Sequence, residues 1–262
     1  MPLPAPSQDV LNFGTRVAQA YAKLTAPGDA DPESGLGGRL FYASKMNEEC
    51  RALVVAANIA GAVTLVASAD QAVQKQAIRD GIADFLVNSL DEALRILKNQ
   101  LRKRETVAVC VAIEPAVMES EMNERGVAPD LLRGDVSVTP RHQALLYQDD
   151  EYDETDLRCI PALIVWRAGS ARHKDLAVLD EIALECLNVD EWAARRWLRL
   201  APRYLGRLAQ GLRVFSSHRE FAARFVEQLC ARVDRGEITF PYEIRSYIRG
   251  VEEKHCFDPE QP

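Results

Sequence analysis

The most regular chemistry-bearing pattern in this sequence is a set of arginines near its C-terminal end. They recur at every fourth position, as Arg195, Arg199, Arg203 and Arg207. Side chains four residues apart lie on one face of a helix, so the spacing predicts a basic stripe. Trp192 lies three residues before Arg195, and Trp197 lies between Arg195 and Arg199. This leaves two interpretations: a partner surface with tryptophans anchored in the core, or a polyanion surface on which bases stack.

An acidic run, DDEYDETD at 149–156, offers a charge partner for that stripe. The whole chain carries 32 Lys and Arg against 39 Asp and Glu, a formal net charge of −7. A pI near 5.3 disfavours broad nucleic-acid binding. We therefore predict that the arginine face is a partner surface, serving a homo-oligomer or a protein partner rather than nucleic acid.

Sequence signatures of catalysis are missing. The chain contains no GxSxG, no HExxH, no GxxxxGK[ST] and no GxGxxG after a strand. The cluster Gly35-Leu36-Gly37-Gly38 precedes the first strand, whereas a phosphate loop follows a strand and opens a helix. The four histidines are far apart and the six cysteines form no CxxC pair. We therefore predict no catalytic residue and no metal centre.

The composition indicates a globular protein of the cytoplasm. Hydrophobic residues make up 47% of the 262, which suits a protein with a buried core. No apolar run approaches the roughly 20 residues that cross a bilayer, and MPLPAPSQDV lacks the features of a secretory signal. Scattered cysteines in a chain of this size favour reduced thiols. Glycine contributes only 14 residues, about 5% where about 7% is average.

From Gly38 onward, strand-like and helix-like segments alternate. GRLFYAS, VTLVASA and ETVAVCVAI are typical of buried strands, and SLDEALRILKNQLRKR begins with Ser89 as a helix N-cap and Glu92 three residues on. This alternation predicts an α/β fold with a Rossmann-like, open, mostly parallel sheet and helices on both faces, followed by a mainly helical C-terminal region. The predicted parts are an N-terminal helix and loop (1–37), the Rossmann-like core (38–148), an acidic linker or loop (149–158), and a last strand with helices (159–262).

The order of motifs in the core resembles the central NAD-binding segment of urocanase (urocanate hydratase). That family has a GKLFLT-like strand, a GLGGMxGAQP loop, a helix ending in AGA, an LDEAL helix and an RGVxPD element. This chain has GRLFYAS, VVAANIAGA, LVASAD, LDEALRIL and ERGVAPDLL in the same order, over about 100 residues. The resemblance implies a Rossmann-type fold, tightly bound NAD⁺ and hydratase chemistry.

At the positions that bind NAD⁺ in the family, this chain differs. The glycine loop is replaced by KMNEECRALV at 45–54, so side chains stand where a pyrophosphate approaches the backbone. Ser68 replaces the ribose-binding acid, and Ile113-Glu114-Pro115 replaces a Gly-Asn-Ala turn. In the DQTSAHDP-like region, GDVSVTP keeps only Ser137 and has Thr139 for the histidine. The family's glycine-flanked catalytic cysteine has no counterpart at the three later candidates, Cys159, Cys186 and Cys230.

We therefore predict a urocanase-like domain that has lost NAD⁺ binding and hydratase activity, and that acts as a non-catalytic interaction or small-ligand-binding protein. Two alternatives stay open: a divergent urocanate hydratase-type lyase, in which the altered loop still binds NAD, and a regulatory protein that binds phosphate or nucleic acid through the arginine face. Any surviving pocket is expected at the carboxyl ends of the strands. Its candidate residues are Asn47, Ser68 and Ser137.

Overall fold

The structure is a computed structural model of the 262-residue chain. The chain divides into two compact units, one of residues 19–150 and one that combines residues 1–18 with 151–262. The residues that the structure describes are 8–26, 30–133, 136–140, 145–147, 162–169, 173–205, 211–217, 219–248 and 251–259.

The unit of residues 19–150 is built on a parallel sheet. Its strands are β1 (Leu40–Lys45), β2 (Val63–Ala67), β3 (Phe85–Val87), β4 (Val107–Val111), β5 (Leu131–Arg133) and β6 (Leu145–Tyr147). Its helices are α1 (Gln8–Thr25), which the division crosses after Ala18, α2 (Glu48–Ala60), α3 (Gln71–Arg79), α4 (Leu90–Lys103) and α5 (Pro115–Glu124). The strands lie in the order β3-β4-β2-β1-β5-β6, and every pair is parallel.

Helices cover both faces of this sheet. Alternate strand residues point to opposite faces, and β2 and β4 are buried along their whole length. Leu65 and Val109 pack with Leu97 of α4 and Met118 of α5 in one core cluster. On the other face, Asn58 of α2 accepts a hydrogen bond from the Thr64 hydroxyl at 3.3 Å. The predicted α/β, Rossmann-like fold is confirmed.

The predicted start of α4 is also confirmed. The Ser89 hydroxyl accepts a hydrogen bond from the backbone N–H of Glu92 at 3.3 Å, which satisfies one of the free donors of the first turn. The Glu92 carboxylate accepts the N–H of Asn88 at 2.9 Å, one residue earlier than in the usual capping box. Side-chain oxygens therefore fix where this helix begins.

The second unit contains an antiparallel sheet and three helices. Its elements are β7 (Ala162–Ala168), α6 (His173–Glu185), α7 (Trp192–Leu205), β8 (Arg213–Ser217), α8 (Arg219–Asp234), β9 (Tyr242–Ile248) and β10 (Val251–Phe257). The strand order is β10-β9-β7-β8, and each pair is antiparallel.

The helices predicted for this region are present, but the prediction of a single last strand is wrong. β7 begins a separate sheet, and β8, β9 and β10 follow it. The sequence signal was weak because β9 mixes charged with apolar residues and β10 carries three charged residues in succession, so neither forms an apolar run. Charges on one face pair across the strands, as Arg245 does with Glu252 at 2.9 Å. Only the paired sheet supplies these partners.

Aromatic residues form the core of the second unit. Trp166 of β7 is fully buried and meets Phe225 edge-on at 5.2 Å between ring centroids. Its indole N–H donates to Asp180 of α6 at 3.0 Å, and Arg213 donates to the other carboxylate oxygen at 2.9 Å. Burial raises the pKa of Asp180, and Arg213 opposes that shift. The carboxylate thus joins α6 to two strands.

In the part of the chain that the structure describes, no helix has the length and apolar character needed to cross a membrane. The predicted acidic linker at 149–158 lies outside the described residues.

Candidate functional site at the carboxyl ends of the parallel strands

Strand order places a crevice beside β1. The chain leaves β1 toward β2 on one side, and β5 lies on its other side. In open parallel sheets, ligands bind outside the carboxyl ends of the strands where the order reverses in this way. A ligand site is therefore expected at the segments that follow β1 and β5.

The turn from β1 into α2 is capped by its own side chain. Asn47 has extended backbone angles (φ −99°, ψ −180°), and its side-chain oxygen accepts the N–H of Cys50 at 2.8 Å. Glu48 and Glu49 follow in the first turn of the helix, where carboxylates interact favourably with the helix dipole. The start of α2 thus already carries an oxygen acceptor and two negative charges.

Ser44 adopts a left-handed backbone at the end of β1, with φ of 60°. This conformation is uncommon for a residue other than glycine. The pairing register with β2 shifts between Tyr42 and Lys45, so Ser44 lies in a bulge. Its hydroxyl donates to Oε1 of Glu119 at 3.1 Å. A bulge therefore turns this hydroxyl toward α5.

Glu119 of α5 connects three parts of the crevice. Besides Ser44, it accepts the Tyr42 hydroxyl at 3.3 Å and the backbone N–H of Ser137 at 3.2 Å. Burial, together with the Glu119 carboxylate, raises the pKa of the Tyr42 phenol, which stays protonated and able to donate. Asn123, one turn further along α5, donates to the Ser137 carbonyl at 2.8 Å. Sequence patterns gave no signal for Glu119.

Ser68, just after β2, is buried and bonded to its own surroundings. Its N–H donates to the carbonyl of Val111 at 3.0 Å, and its carbonyl accepts the side chain of Gln74 at 2.6 Å. Its hydroxyl accepts the N–H of Asp70 at 3.3 Å. Ser68 therefore helps to close the turn into α3.

Arg133 ends β5, and its side chain is only 11% exposed. Its guanidinium lies 3.4 Å from the carboxylate of Glu49 and 3.0 Å from the sulfur of Cys50. The Cys50 thiol donates to the carbonyl of Ala43 at 2.9 Å. A cation thus faces the first turn of α2, where it balances a carboxylate. The sequence analysis missed this residue, although a charge directly after a short apolar strand was a usable signal.

The three predicted crevice residues all lie at the carboxyl end of the sheet. The loop of Asn47 approaches the end of β2 through Met46, whose N–H donates to Ala67 at 3.2 Å. In the part of the chain that the structure describes, Glu119 links Ser137 to Ser44. Within the described residues, no hydrogen bond links the side chains of Asn47, Ser68 and Ser137 to one another. All three lie at the carboxyl end of the sheet, but each is hydrogen-bonded to a different turn or helix.

The predicted arginine stripe lies on α7, but its members differ. Arg195 donates to the carbonyls of Leu184 and Leu187, at 3.0 and 3.1 Å, and so caps the end of α6. Arg199 and Arg203 are exposed, and the Arg203 guanidinium lies 5.5 Å from the ring centroid of Tyr204. Arg207 lies outside the described residues.

Trp197 of α7 is a core residue. It is 3% exposed, and its indole N–H donates to the Val214 carbonyl at 2.8 Å. A ring held in this way cannot stack on a base, so the interpretation of Trp197 as a core anchor is the one that the structure supports. Metal ligands do not converge either: among the described residues, no three of His, Cys, Asp and Glu are grouped so as to hold an ion.

A parallel sheet with this crevice defines a Rossmann-type protein. A sequence model of the urocanase Rossmann-like domain matches residues 17–155, which is 139 of the 262 residues and more than half of the chain. The chain therefore belongs to the urocanase family, and the family resemblance in the sequence is confirmed. The match spans the whole parallel sheet from β1 to β6.

Proposed function

We propose that this chain is a urocanase-family protein that has lost NAD⁺ binding and hydratase activity and acts as a non-catalytic interaction or small-ligand-binding protein. The observation that carries the proposal is the turn from β1 into α2, where Asn47 caps the helix and two glutamates follow. A dinucleotide would need this helix start for its pyrophosphate.

Electrostatics and shape both oppose a pyrophosphate at this turn. The Asn47 oxygen already takes the N–H of Cys50, and the Glu48 carboxylate would repel a dianion. Glu49 is paired with Arg133, so that cation is already used within the chain. Side chains at 45–52 occupy positions where glycines would let the phosphate approach the backbone. The residues present at this turn do not fit the cofactor.

The turn from β4 into α5 supports the same conclusion. The family resemblance implies a Gly-Asn-Ala turn here, whereas the chain has Ile113, Glu114 and Pro115. Glu114 is the N-cap of α5 and makes no side-chain capping bond, and Pro115 has no N–H to offer a ligand. The turn from β4 into α5 thus places a carboxylate and a proline where the family has a Gly-Asn-Ala turn.

Calorimetric titration with NAD⁺ tests the proposal. We expect no saturable binding, and we expect the N47G/E48G/E49G variant, which removes the cap and both charges, to bind more than the wild type does. The melting temperature of the variant checks that it is folded. Tight, saturable binding of NAD⁺ by the wild type would overturn the proposal.

Family membership favours one alternative, a divergent urocanate hydratase-type lyase. Urocanate absorbance, followed with purified protein with and without added NAD⁺, distinguishes the two. The proposal expects no change beyond the protein-free blank in either case. A decay that scales with the amount of protein would support the lyase.

For the interaction role, we propose that the partner surface lies on α7. Arg199 and Arg203 are exposed one turn apart and suit an acidic protein surface or a second copy of the chain. Light scattering of the wild type and of the R199A/R203A variant tests this. A smaller assembly for the variant supports the proposed surface, and equal masses together with unchanged partner binding would exclude it.

A further inference from the structure

A groove lies within the second unit, between α8 and the hairpin of β9 and β10. Its volume is about 320 Å³, at the lower end of the range of about 300–1,000 Å³ that is usual for small-molecule sites. All the residues that line it belong to these three elements. It is separate from the crevice of the parallel sheet.

The helix side of the groove is apolar, and its floor mixes apolar and polar residues. Ala222 and Val226 of α8 form the wall, and Ile244 of β9 forms part of the floor. Small side chains on the helix leave the space open. The groove can therefore accept a short aliphatic group at little cost in desolvation.

Polar groups in the floor still have hydrogen-bonding capacity. The hydroxyl of Ser246 has no partner among the described residues, although the residue is only 7% exposed. His255 lies on the neighbouring strand, and its Nε2 is 3.3 Å from the Tyr242 hydroxyl and 3.7 Å from the Cys230 sulfur. The Tyr242 hydroxyl and the Cys230 thiol thus both lie next to Nε2 of His255.

Two hydrogen-bearing groups at Nε2 favour the His255 tautomer that carries its proton on Nδ1. Burial is the main factor that raises the pKa of Tyr242, so the phenol stays protonated and can donate to Nε2. Burial also lowers the pKa of His255, which favours the neutral ring. A neutral ring that accepts at Nε2 holds its proton on Nδ1. The imidazole can therefore donate a hydrogen bond to a ligand.

The mouth of the groove carries one charge of each sign. Arg219 of α8 lies 4.0 Å from Glu253 of β10, and both side chains are mostly exposed. A pair so exposed and so long contributes little, so a ligand can replace it. Lys254 is also at the groove, but its ammonium lies 3.3 Å from Glu243 on the opposite face of the sheet. The net charge offered to a ligand is therefore zero.

We propose that this groove binds a free α-amino acid with an aliphatic side chain. The ligand carboxylate would meet Arg219 and the two donors, Ser246 and His255, while its ammonium would meet Glu253. Its side chain would lie on the apolar wall. The proposal does not depend on the loss of NAD⁺ binding, because every group involved belongs to the second unit.

Calorimetric titration of the full chain with L-leucine tests this. We expect saturable binding with a Kd of about 1 mM or below. Two analogues remove one charge each: 4-methylpentanoate lacks the ammonium and 3-methylbutylamine lacks the carboxylate. Each should bind at least about tenfold more weakly than leucine. Absence of saturable leucine binding, or equal binding of either analogue, would overturn the proposal.

Variants locate the site. E253Q and R219Q should each weaken leucine binding about tenfold or more, because each removes one charge of the mouth. E227Q and R224Q are matched controls, since both residues are exposed on the same helix and neither lines the groove. All four positions are exposed, so the melting temperatures should stay close to that of the wild type. Equal effects of test and control variants would exclude this groove as the site.

Discussion

The side chain of Asn47 caps the N-terminus of α2 and thereby affects whether that terminus can bind an anion. Its oxygen satisfies the N–H of Cys50, and the glutamates that follow complement the helix dipole. These interactions stabilise the N-terminus of α2 with groups from the chain, without a bound ligand. The features that stabilise the helix are the same ones that disfavour a phosphate there.

Replacing Asn47 with alanine should therefore lower the free energy of unfolding by about 1 kcal/mol, through loss of the cap. N47D should stay close to the wild type, because aspartate caps equally well. Urea unfolding followed by circular dichroism gives both values. An alanine variant as stable as the wild type would show that the cap contributes nothing.

Glu119 is the second residue with a clear local role. Its carboxylate accepts hydrogen bonds from Tyr42, Ser44 and the N–H of Ser137. We expect E119A to lower the free energy of unfolding by about 2 kcal/mol, since three donors lose their acceptor. E124A, on the exposed end of the same helix, should cost less than about 0.5 kcal/mol. Parallel urea titrations compare the two variants.

Among the elements, the antiparallel sheet depends on charges that its strands bury together. Glu243 of β9 is 7% exposed in its side chain and pairs with Arg167 at 2.9 Å and Arg245 at 2.6 Å. Burial alone would raise the pKa of Glu243, but the hydrogen bonds from both arginines outweigh it and lower the pKa to about 2. The charged form is therefore the one that the folded sheet stabilises.

The sign of the pH dependence follows from this lowered pKa. The stabilisation by Glu243 is complete above the ordinary glutamate pKa of 4.5 and disappears as the pH falls toward about 2. We expect the melting temperature of the second unit to fall across that window. The E243Q variant should show a smaller fall, because it lacks the titrating group. An identical acid profile for both proteins would contradict this assignment.

At neutral pH, E243Q should lower the free energy of unfolding by about 3 kcal/mol, since it removes the buried carboxylate that pairs with both Arg167 and Arg245. E252Q is the matched control on β10, where the carboxylate is 44% exposed and should contribute at most about 1 kcal/mol. Thermal unfolding at pH 7 measures both. Equal losses would mean that burial does not set the strength of these pairs.

Over the whole molecule, cysteine accessibility differs between positions in both units. Cys50, Cys110 and Cys186 are buried, Cys230 is partly buried and Cys256 is exposed. Burial raises the pKa of Cys110 and of Cys186 to about 11. At pH 8 their thiolate fraction is only about a thousandth, which slows alkylation further.

Among the five cysteines that the structure describes, alkylation by iodoacetamide at pH 8 should therefore modify Cys256 first and Cys230 next, and leave the three buried thiols unreacted until the protein unfolds. Peptide mass spectrometry over a time course records the order. The same reaction in urea is the control, in which the five positions should react at similar rates. Early modification of Cys50 or Cys110 in the native protein would contradict the burial described here.

Much of the parallel sheet was predictable because its signals are local. Buried strands such as β2 and β4 are continuous apolar runs, and Ser89 marks its helix through a short-range hydrogen bond. The turn at 45–54 was predicted not to suit NAD⁺ for an equally local reason, the absence of glycine. The crevice candidates Asn47, Ser68 and Ser137 followed from the rule that ligands bind at the carboxyl ends of parallel strands.

Long-range partners could not be predicted. Glu119 matters only because the fold brings residues 42, 44 and 137 to it, and Arg133 matters because it meets Glu49 across 84 positions of sequence. β9 and β10 pair along seven residues, and their opposite charges meet only in that pairing; a charged strand outside its sheet is not distinguishable from a loop.

By itself, the sequence determined the alternation of strands and helices in the parallel sheet, the family and the loss of glycine at the first turn, because each depends on neighbouring residues. Tertiary structure alone decided that Arg195 caps α6 instead of joining a basic surface, and that His255, Ser246, Arg219 and Glu253 surround one groove. The physical reason is that hydrogen bonds and ion pairs act only over a few ångströms. Only the folded chain brings residues 219 and 253 that close.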